Sequence, residues 1–414
     1  MGAPAKALQS AVLLLCWGKA LARGEELPQI RYPGKVLQGK TGARAKVQVW
    51  RDAVVTCKGQ VFRGKEALVG CGHNGCLEWD GCGFTGGSCD PRIPWSHVTS
   101  KAHFMCEGEF QQPCNPKEKQ PGGPLESIVV LTQPQWGAYY HFVIDSLSRL
   151  SWVRAQYPEV VNDSRTFFHT GYISEVGQAW AGLVGIRTAT GEENRLLEGY
   201  WQGRKVYFPP GNACANNQKG AEPFAIQSMH SAVETAIGMA PSASGASGLT
   251  ALIVRRDIRK SRNRAVLNHD EVLGAVRKSL PGWHVEIFSD YPSPPDVLTT
   301  CKMFQRARII IGPHGAGFAN LICARTGTPL IEFQQKSHSW DYQLLSMKLE
   351  MPYFGIRTNM DHYGPDRVRI PALRVAVEKA LQVVRSQLPV MPATVVVASS
   401  SPPPALEPRP TLTR

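Results

Sequence analysis

Short apolar runs that alternate with helical segments dominate the pattern of hydrophobic and polar positions in this chain. Runs typical of buried strands lie at residues 127–131, 166–168, 206–208, 251–254, 283–288, 309–311 and 329–333. Helical patterns lie at residues 139–154, 295–305 and 371–387. A further helix start is predicted at Asn268, because Glu271 has the spacing of a capping box. Strands that alternate with helices predict an α/β protein with parallel sheets covered on both faces.

The clearest break in this pattern is a segment of small and polar residues at 240–249. Strands and helices resume directly after it, so we predict a flexible linker there. On either side we predict a doubly wound, Rossmann-like domain, at residues 124–239 and 250–388. The two domains would face a cleft, and ligands bind there in such folds. Residues 389–414 are rich in proline and are predicted to be a disordered tail.

The chain begins with the features of a signal for export. Lys6 precedes an apolar run at residues 11–17, and Ala20 and Ala22 have the spacing of a cleavage site. We therefore predict a signal peptide or short anchor at residues 1–22. Cleavage after Ala22 and retention as an anchor both stay open. No later segment is apolar for long enough to predict another transmembrane helix.

Cysteines crowd the next part of the chain. Residues 23–123 are rich in Gly, Pro and Cys and are predicted to form a disulfide-stapled N-terminal module. Three further cysteines follow, at Cys214, Cys301 and Cys323, and an even set in an exported protein predicts disulfide bonds. Zinc is the alternative, because histidines lie among the cysteines. However, the sequence has no Cys-x-x-Cys pair, and we predict no metal site.

The charge balance adds a constraint on partners. Lys and Arg number 46 against 33 Asp and Glu, which gives a net charge of +13. Such a charge suits nucleotide phosphates, nucleic acids or anionic membrane surfaces. Basic residues are not interleaved with aromatic residues in any block, so nucleic acid is not predicted as a partner.

The segment at residues 308–333 carries the most informative chemistry. Its apolar run predicts a buried strand, and Gly312, Gly315 and Gly317 then form a turn before a short apolar helix. The N–H groups at a helix start attract an anion, and glycine lets phosphate oxygens approach the backbone. The turn therefore predicts a diphosphate site, with a purely structural turn as the alternative. Its glycine order differs from the dinucleotide fingerprint, and it lacks the Lys-Ser/Thr of a P-loop.

Glu332 ends the strand that follows the turn. That strand delivers the carboxylate to the same edge of the sheet, where we expect it to accept hydrogen bonds from ribose hydroxyls.

Three segments, in order, resemble the family 61 glycosyltransferases, which include plant β-1,2-xylosyltransferase and lumenal O-linked N-acetylglucosaminyltransferases. The first is Tyr-Tyr-His-Phe-Val-Ile-Asp-Ser-Leu-Ser-Arg-Leu at residues 139–150, similar to the aromatic-His-Phe-x-x-Asp helix of the family. The second is Ile-Val-Arg-Arg at 253–256 with Arg-Ala-Val-Leu-Asn at 264–268. The third is Gly-Pro-His-Gly-Ala-Gly-Phe-Ala-Asn-Leu at 312–321, close to the signature Gly-x-His-Gly-Ala-Gly-Leu-Thr-Asn, with Ile-Glu-Phe at 331–333.

The resemblance implies a fold of GT-B type and an inverting transfer of sugar from a nucleotide-sugar donor. A UDP-sugar carrying xylose or N-acetylglucosamine is expected, with a glycan or glycoprotein acceptor in the lumen of the Golgi or endoplasmic reticulum. Contact with a membrane is expected only through an uncleaved N-terminal anchor. A family 61-like lumenal protein that binds glycans or nucleotide sugars without turnover is the alternative. A cytosolic oxidoreductase is a third interpretation, against which the export signal and the cysteines argue.

The resemblance also indicates residues for the donor. Arg255 or Arg256, with Arg264, is expected to bind the diphosphate, since guanidinium groups suit phosphate oxygens. Contacts from the turn are expected from His314, Gly315, Ala316, Gly317 and Asn320. For Asn320, capping or buttressing of the short helix is the alternative. The sequence has no Asp-x-Asp pair, so we expect stabilisation of the leaving group without a metal ion or other cofactor.

His141 and Asp145 are the candidate catalytic residues. They lie four positions apart and therefore on one face of a helix. We predict Asp145 as the base that takes the proton of the acceptor hydroxyl, with His141 as a substrate contact. A pair that only stabilises the helix is the alternative.

Overall fold

The structure is a computed structural model. It describes residues 29–31, 46–55, 59, 61–63, 66–68, 123–132, 139–171, 174–186, 195–199, 201–210, 223–238, 249–260, 263–336, 340–361 and 364–387. The predicted signal segment, the cysteines up to Cys114, the linker at 240–248 and the proline-rich tail lie outside the described residues. The domain boundaries stay predictions.

A mixed sheet forms the N-terminal part of the fold. Within the described residues its order is β1-β4-β3-β2-β8-β5-β6-β7. The strands are β1 (Gln29–Arg31), β2 (Gln48–Val55), β3 (Val61–Arg63), β4 (Glu66–Leu68), β5 (Leu125–Val130), β6 (Thr166–His169), β7 (Leu196–Leu197) and β8 (Trp201–Phe208). Strands β5 to β8 pair in parallel, as predicted. A wholly parallel sheet is wrong here, because β2 joins β8 in the antiparallel sense and lies beside antiparallel β3.

The second sheet is parallel throughout, which confirms the prediction for this part of the chain. Its order among the described residues is β10-β9-β11-β12-β13. The strands are β9 (Thr250–Arg255), β10 (His284–Ser289), β11 (Ile309–Pro313), β12 (Leu330–Gln334) and β13 (Tyr353–Arg357). In this sheet, each strand that was predicted from the sequence forms within one or two residues of its predicted bounds, whereas β8 of the first sheet begins five residues before its predicted start.

Helices connect and cover the two sheets. The described α-helices are α1 (Leu150–Gln156), α2 (Pro158–Asn162), α3 (Glu175–Leu183), α4 (Pro223–Ile237), α5 (His269–Ser279), α6 (Val297–Arg306), α7 (Asp341–Lys348) and α8 (Ile370–Gln387). The helix predicted at 139–154 forms, but it begins as a π-helix, His141–Ser146, and continues as a 3-10 helix, Leu147–Arg149, before α1. The short helix after the glycine turn is a 3-10 helix, Ala316–Cys323.

The two sheets share one hydrophobic core. Val129 of β5 and Leu252 of β9 belong to the same buried cluster, together with apolar side chains of the helices between the sheets. Their chain neighbours Ile128 and Ile253 face separate clusters on the outer faces. Successive residues of a strand point to opposite faces of the sheet. A strand that is buried on both faces therefore needs apolar residues at consecutive positions. The shared core fixes the two sheets relative to each other.

Asn268 precedes α5 as predicted, but it does not cap the helix. Its Oδ1 accepts the N–H of Val368 at 2.8 Å, and its Nδ2 donates to the carbonyl of Val368 at 3.0 Å and to Glu271 at 3.2 Å. The capping-box prediction is therefore wrong, because a distant segment takes the amide that a cap would use.

A disulfide bond, which the sequence predicted as a class, is present among the described residues. Cys301 of α6 and Cys323 at the end of the 3-10 helix form a disulfide. The other cysteines lie outside the described residues. A search of the described helices found none that is both long and apolar enough to cross a membrane.

Candidate functional site

The parallel sheet changes winding direction between β9 and β11. The chain moves outward from β9 to β10 and then returns past β9 to β11. In open α/β sheets, ligands bind at the carboxyl ends of the strands at such a point. Arg255 ends β9, Arg256 follows it, and the turn at residues 314–317 follows β11. The candidate donor residues therefore converge at this edge of the sheet.

Glycines in the turn allow close packing. A Cβ atom on Gly312 would lie 2.8 Å from the carbonyl oxygen of Val254, and one on Gly315 would overlap the guanidinium of Arg256. Gly315 thus makes room for a cation directly against the backbone. Ala316 and Gly317 begin the 3-10 helix and are partly exposed, so their side of the turn is accessible. The N–H groups at a helix start lack intrahelical partners, which favours an anion at this position.

Arg256 and Arg264 bring two cations to the same place. Both are partly buried, and the Nε atom of each has no hydrogen-bond partner among the described residues. Burial and the neighbouring charge of Arg264 lower the pKa of Arg256. Arg264 also has φ 57°, a left-handed conformation that costs energy for any residue other than glycine. Strain and uncompensated charge of this kind cluster at binding sites.

Arg255 has a different environment. Its Nη2 lies 3.2 Å from Oδ2 of Asp257, a side chain that also accepts two hydrogen bonds from the Arg259 guanidinium. Those bonds from Arg259, with the charge of Arg255, hold the pKa of Asp257 well below its usual range. Of the two candidates after β9, Arg256 is the one that reaches the turn.

His314 is fixed by a buried hydrogen-bond network. Its Nδ1 lies 2.6 Å from Oε1 of Glu332, and the hydroxyl of Tyr353 donates to Oε2 of Glu332 at 2.6 Å. Gln334 donates in turn to the Tyr353 oxygen at 2.8 Å. Glu332 is 0% exposed, so the predicted contact with a ribose does not fit this structure. Its carboxylate instead orients His314.

A row of aromatic rings links the turn to the N-terminal part of the fold. Tyr342 packs on His314 with ring centroids 4.7 Å apart, and Tyr140 packs on Tyr342 at 5.4 Å. Tyr140 also contacts the ring of His141 at 5.4 Å. Sequence reasoning missed Tyr342, because it lies outside every motif. The Tyr-Tyr pair before His141 was visible, but nothing in the sequence indicated what it would contact.

His141 and Asp145 form a hydrogen-bonded pair on the π-helix, with 2.5 Å between His141 Nδ1 and Asp145 Oδ2. The side chain of His141 is 34% exposed and that of Asp145 only 9%. Burial opposes protonation of His141, but the hydrogen bond and charge of Asp145, with the charge of Asp341, outweigh it and raise the pKa of His141. Single π-helical turns occur often at functional sites, and this one places the accessible histidine beside the aromatic row.

Asn320 connects the glycine turn to Tyr139 through hydrogen bonds. Its Oδ1 accepts a hydrogen bond from the hydroxyl of Tyr139 at 2.7 Å, and its Nδ2 donates to the carbonyl of Gly317 at 2.9 Å. The side chain is buried, and both of its polar atoms are used. The structure therefore gives Asn320 a supporting position between the two parts of the fold, in place of the predicted contact with the donor.

Within the described residues, no group of three or more His, Cys, Asp or Glu side chains is arranged to hold a metal ion. The histidines among the N-terminal cysteines lie outside those residues.

A parallel sheet with a glycine turn and paired arginines at its switch point is typical of α/β proteins that bind phosphorylated ligands. The family model described as Glycosyltransferase 61 matches residues 139–331. This part of the chain belongs to glycosyltransferase family 61.

Other comparisons add little. No curated protein matches the sequence significantly. Among solved structures, a flavo di-iron protein H90D mutant from Thermotoga maritima matches at 13% identity with a TM-score of 0.23. The match covers 52% of this chain and 49% of that one, so the chain spans about half the length of that protein.

Proposed function

We propose that this protein is an inverting glycosyltransferase that moves a sugar from a UDP-sugar to a glycan or glycoprotein acceptor. Xylose or N-acetylglucosamine is the proposed sugar, and the lumen of the Golgi or endoplasmic reticulum is the proposed location. Membership of family 61 supports transferase activity at the level of the class. The donor, the acceptor and the location rest on the sequence resemblance and the export signal.

The convergence of Arg256, Arg264 and the glycine turn at the switch point is the observation that carries this proposal. Negative charge grows on the diphosphate as it leaves the sugar, and guanidinium groups stabilise such charge. Arg256 lies against Gly315 of the turn, and Arg264 is close enough for its charge to act on Arg256. The Nε atoms of both have no hydrogen-bond partner among the described residues. The backbone N–H groups of Ala316 and Gly317 supplement them, and His314, oriented by Glu332, completes the donor side.

For the acceptor, we propose His141 as the base and Asp145 as its positioning residue, which reverses the roles predicted from sequence. The exposed fractions favour this order, since Asp145 is too deeply buried to meet an acceptor directly. Asp145 holds the Nδ1 side of the imidazole, which leaves Nε2 to take a proton. The acceptor oxygen attacks the anomeric carbon, its proton passes to Nε2, and the bond from that carbon to the diphosphate oxygen breaks. One displacement of this kind inverts the anomeric configuration.

Release of nucleoside diphosphate from a panel of UDP- and GDP-sugars tests the proposal. Purified protein should release UDP from one UDP-sugar, and more rapidly when glycan acceptors are added. Binding of a nucleotide sugar without release in any combination would favour the alternative, a family 61-like protein that binds without turnover. EDTA should leave the activity intact, whereas loss of activity with rescue by Mn²⁺ would overturn the metal-free mechanism.

A further inference from the structure

A cavity lies at the carboxyl ends of β12 and β13, apart from the glycine turn. Its volume is about 530 Å³, within the range of small-molecule sites. Side chains at the ends of both strands line it, together with residues 366, 367 and 369. None of its lining residues belongs to the glycine turn or to the arginines proposed for the diphosphate.

Basic side chains dominate the wall of this cavity. Lys336, Arg357, Arg367 and Arg369 oppose a single carboxylate, that of Asp366. Oδ2 of Asp366 already accepts the backbone N–H of Asn359 at 2.6 Å. Arg367 is paired with Glu271, whereas Lys336, Arg357 and Arg369 form no ion pair with a described residue. The cavity therefore has an excess of positive charge.

Gln335, which also lines the cavity, carries an acceptor atom without a partner. The Oε1 atom of Gln335 is buried and has no hydrogen-bond partner among the described residues. A buried acceptor without a partner is costly, and a ligand hydroxyl would satisfy it. Cations beside an amide oxygen suit a molecule that carries both an acidic group and hydroxyl groups.

The cavity borders the candidate donor site. Gln334 lines it and belongs to the chain of hydrogen bonds that runs through Tyr353 and Glu332 to His314. A ligand there would lie beside the proposed site of transfer without occupying the diphosphate position.

We propose that this cavity binds an acidic sugar of the acceptor. Lys336, Arg357 and Arg369 would contact its carboxylate, sulfate or phosphate group, and a sugar hydroxyl would donate to Gln335 Oε1. The assignment of the ligand to the acceptor rests on the proposed function. The donor nucleotide is the other possible source of an anionic group, and the experiment separates the two.

The test compares two double variants of the full chain by isothermal titration calorimetry. Arg357→Gln/Arg369→Gln removes two charges from the cavity, and Arg277→Gln/Lys278→Gln removes two from the exposed end of α5 as a matched control. The probes are a sulfated, glucuronic acid-containing disaccharide, its uncharged counterpart and UDP. We expect the cavity variant to bind the acidic disaccharide at least about tenfold more weakly, since it loses charge-assisted hydrogen bonds. Its affinity for UDP should stay within about twofold, and the control should match the parent.

Several outcomes would overturn this inference. They are unchanged binding of the acidic disaccharide, equal binding of the uncharged disaccharide by the parent, or a parallel loss of UDP affinity that assigns the cavity to the donor. Lys336→Gln, at an exposed position, is a second variant that should show a smaller loss if the double variant does not fold. Failure of the proposed function is distinguishable, because it would appear in the parent as no release of nucleoside diphosphate from any sugar nucleotide.

Discussion

Replacing Arg256 by Gln should weaken UDP binding and leave the free protein at least as stable as before. The guanidinium packs against Gly315, its Nε has no hydrogen-bond partner among the described residues, and the charge of Arg264 acts on it. The free protein therefore contains a partly desolvated cation beside a like charge. Removing it relieves that cost, while the complex loses a cation that would contact phosphate.

The expected magnitude follows from the loss of a charged hydrogen bond. Such a bond contributes about 1.5–3 kcal/mol. At about 1.4 kcal/mol for each factor of ten, the Kd for UDP should rise about 10- to 150-fold. Calorimetry with UDP measures this change, and thermal unfolding without ligand measures stability.

Arg255→Gln is the matched control, because it removes the same charge from the neighbouring residue. Arg255 pairs with the buried carboxylate of Asp257, so this variant should lower the Tm of the free protein and bind UDP nearly as the parent does. The reasoning is refuted if Arg255→Gln weakens UDP binding more than Arg256→Gln does, or if Arg256→Gln destabilises the free protein.

Four further predictions concern catalysis and stability. His141→Gln should reduce kcat about 100-fold or more. Asp145→Asn should shift the acidic limb of the pH–rate profile to lower pH, because Asp145 raises the pKa of His141, the proposed base. An unshifted limb would contradict the positioning role proposed for Asp145. Gly312→Ala should lower stability by about 1–3 kcal/mol in urea titration, since the new Cβ meets Val254, whereas Gly274→Ala, with open space around it, should not. Burial lowers the pKa of His169 to about 4, so its contribution to stability is present above its ordinary pKa of about 6.5 and is lost as pH falls towards 4; His169→Gln should flatten the stability–pH curve in this window.

The parts of the fold that sequence reasoning predicted are those with local signals. Strands β9 and β11 contain continuous apolar runs, which are the pattern expected of a strand buried on both faces. The glycine turn was predicted because its residues are adjacent in the chain. The pairing of β2 with β8 was not, because it joins residues about 150 positions apart, and no periodicity specifies a distant partner.

The roles of individual site residues depended on contacts that the sequence does not encode locally. Glu332 has the position expected of a ribose ligand, but Tyr353 and His314 take both of its oxygens. The sequence does not distinguish Arg255 from Arg256, because the difference between them is an ion pair: Arg255 pairs with Asp257. Sequence spacing placed His141 beside Asp145 correctly, and only the exposed fractions distinguish the proposed base from the residue proposed to orient it.

The disulfide between Cys301 and Cys323 encloses β11 and the whole glycine turn in a covalent loop with a sequence separation of 22. Closing a loop of this length removes about 3 kcal/mol of chain entropy from the unfolded state. The bond therefore favours the folded state, in which the amides of the turn already have the arrangement that the proposed diphosphate site needs. In the oxidising compartment proposed for this protein, the turn would thus be held by a covalent tie that reducing conditions would not supply.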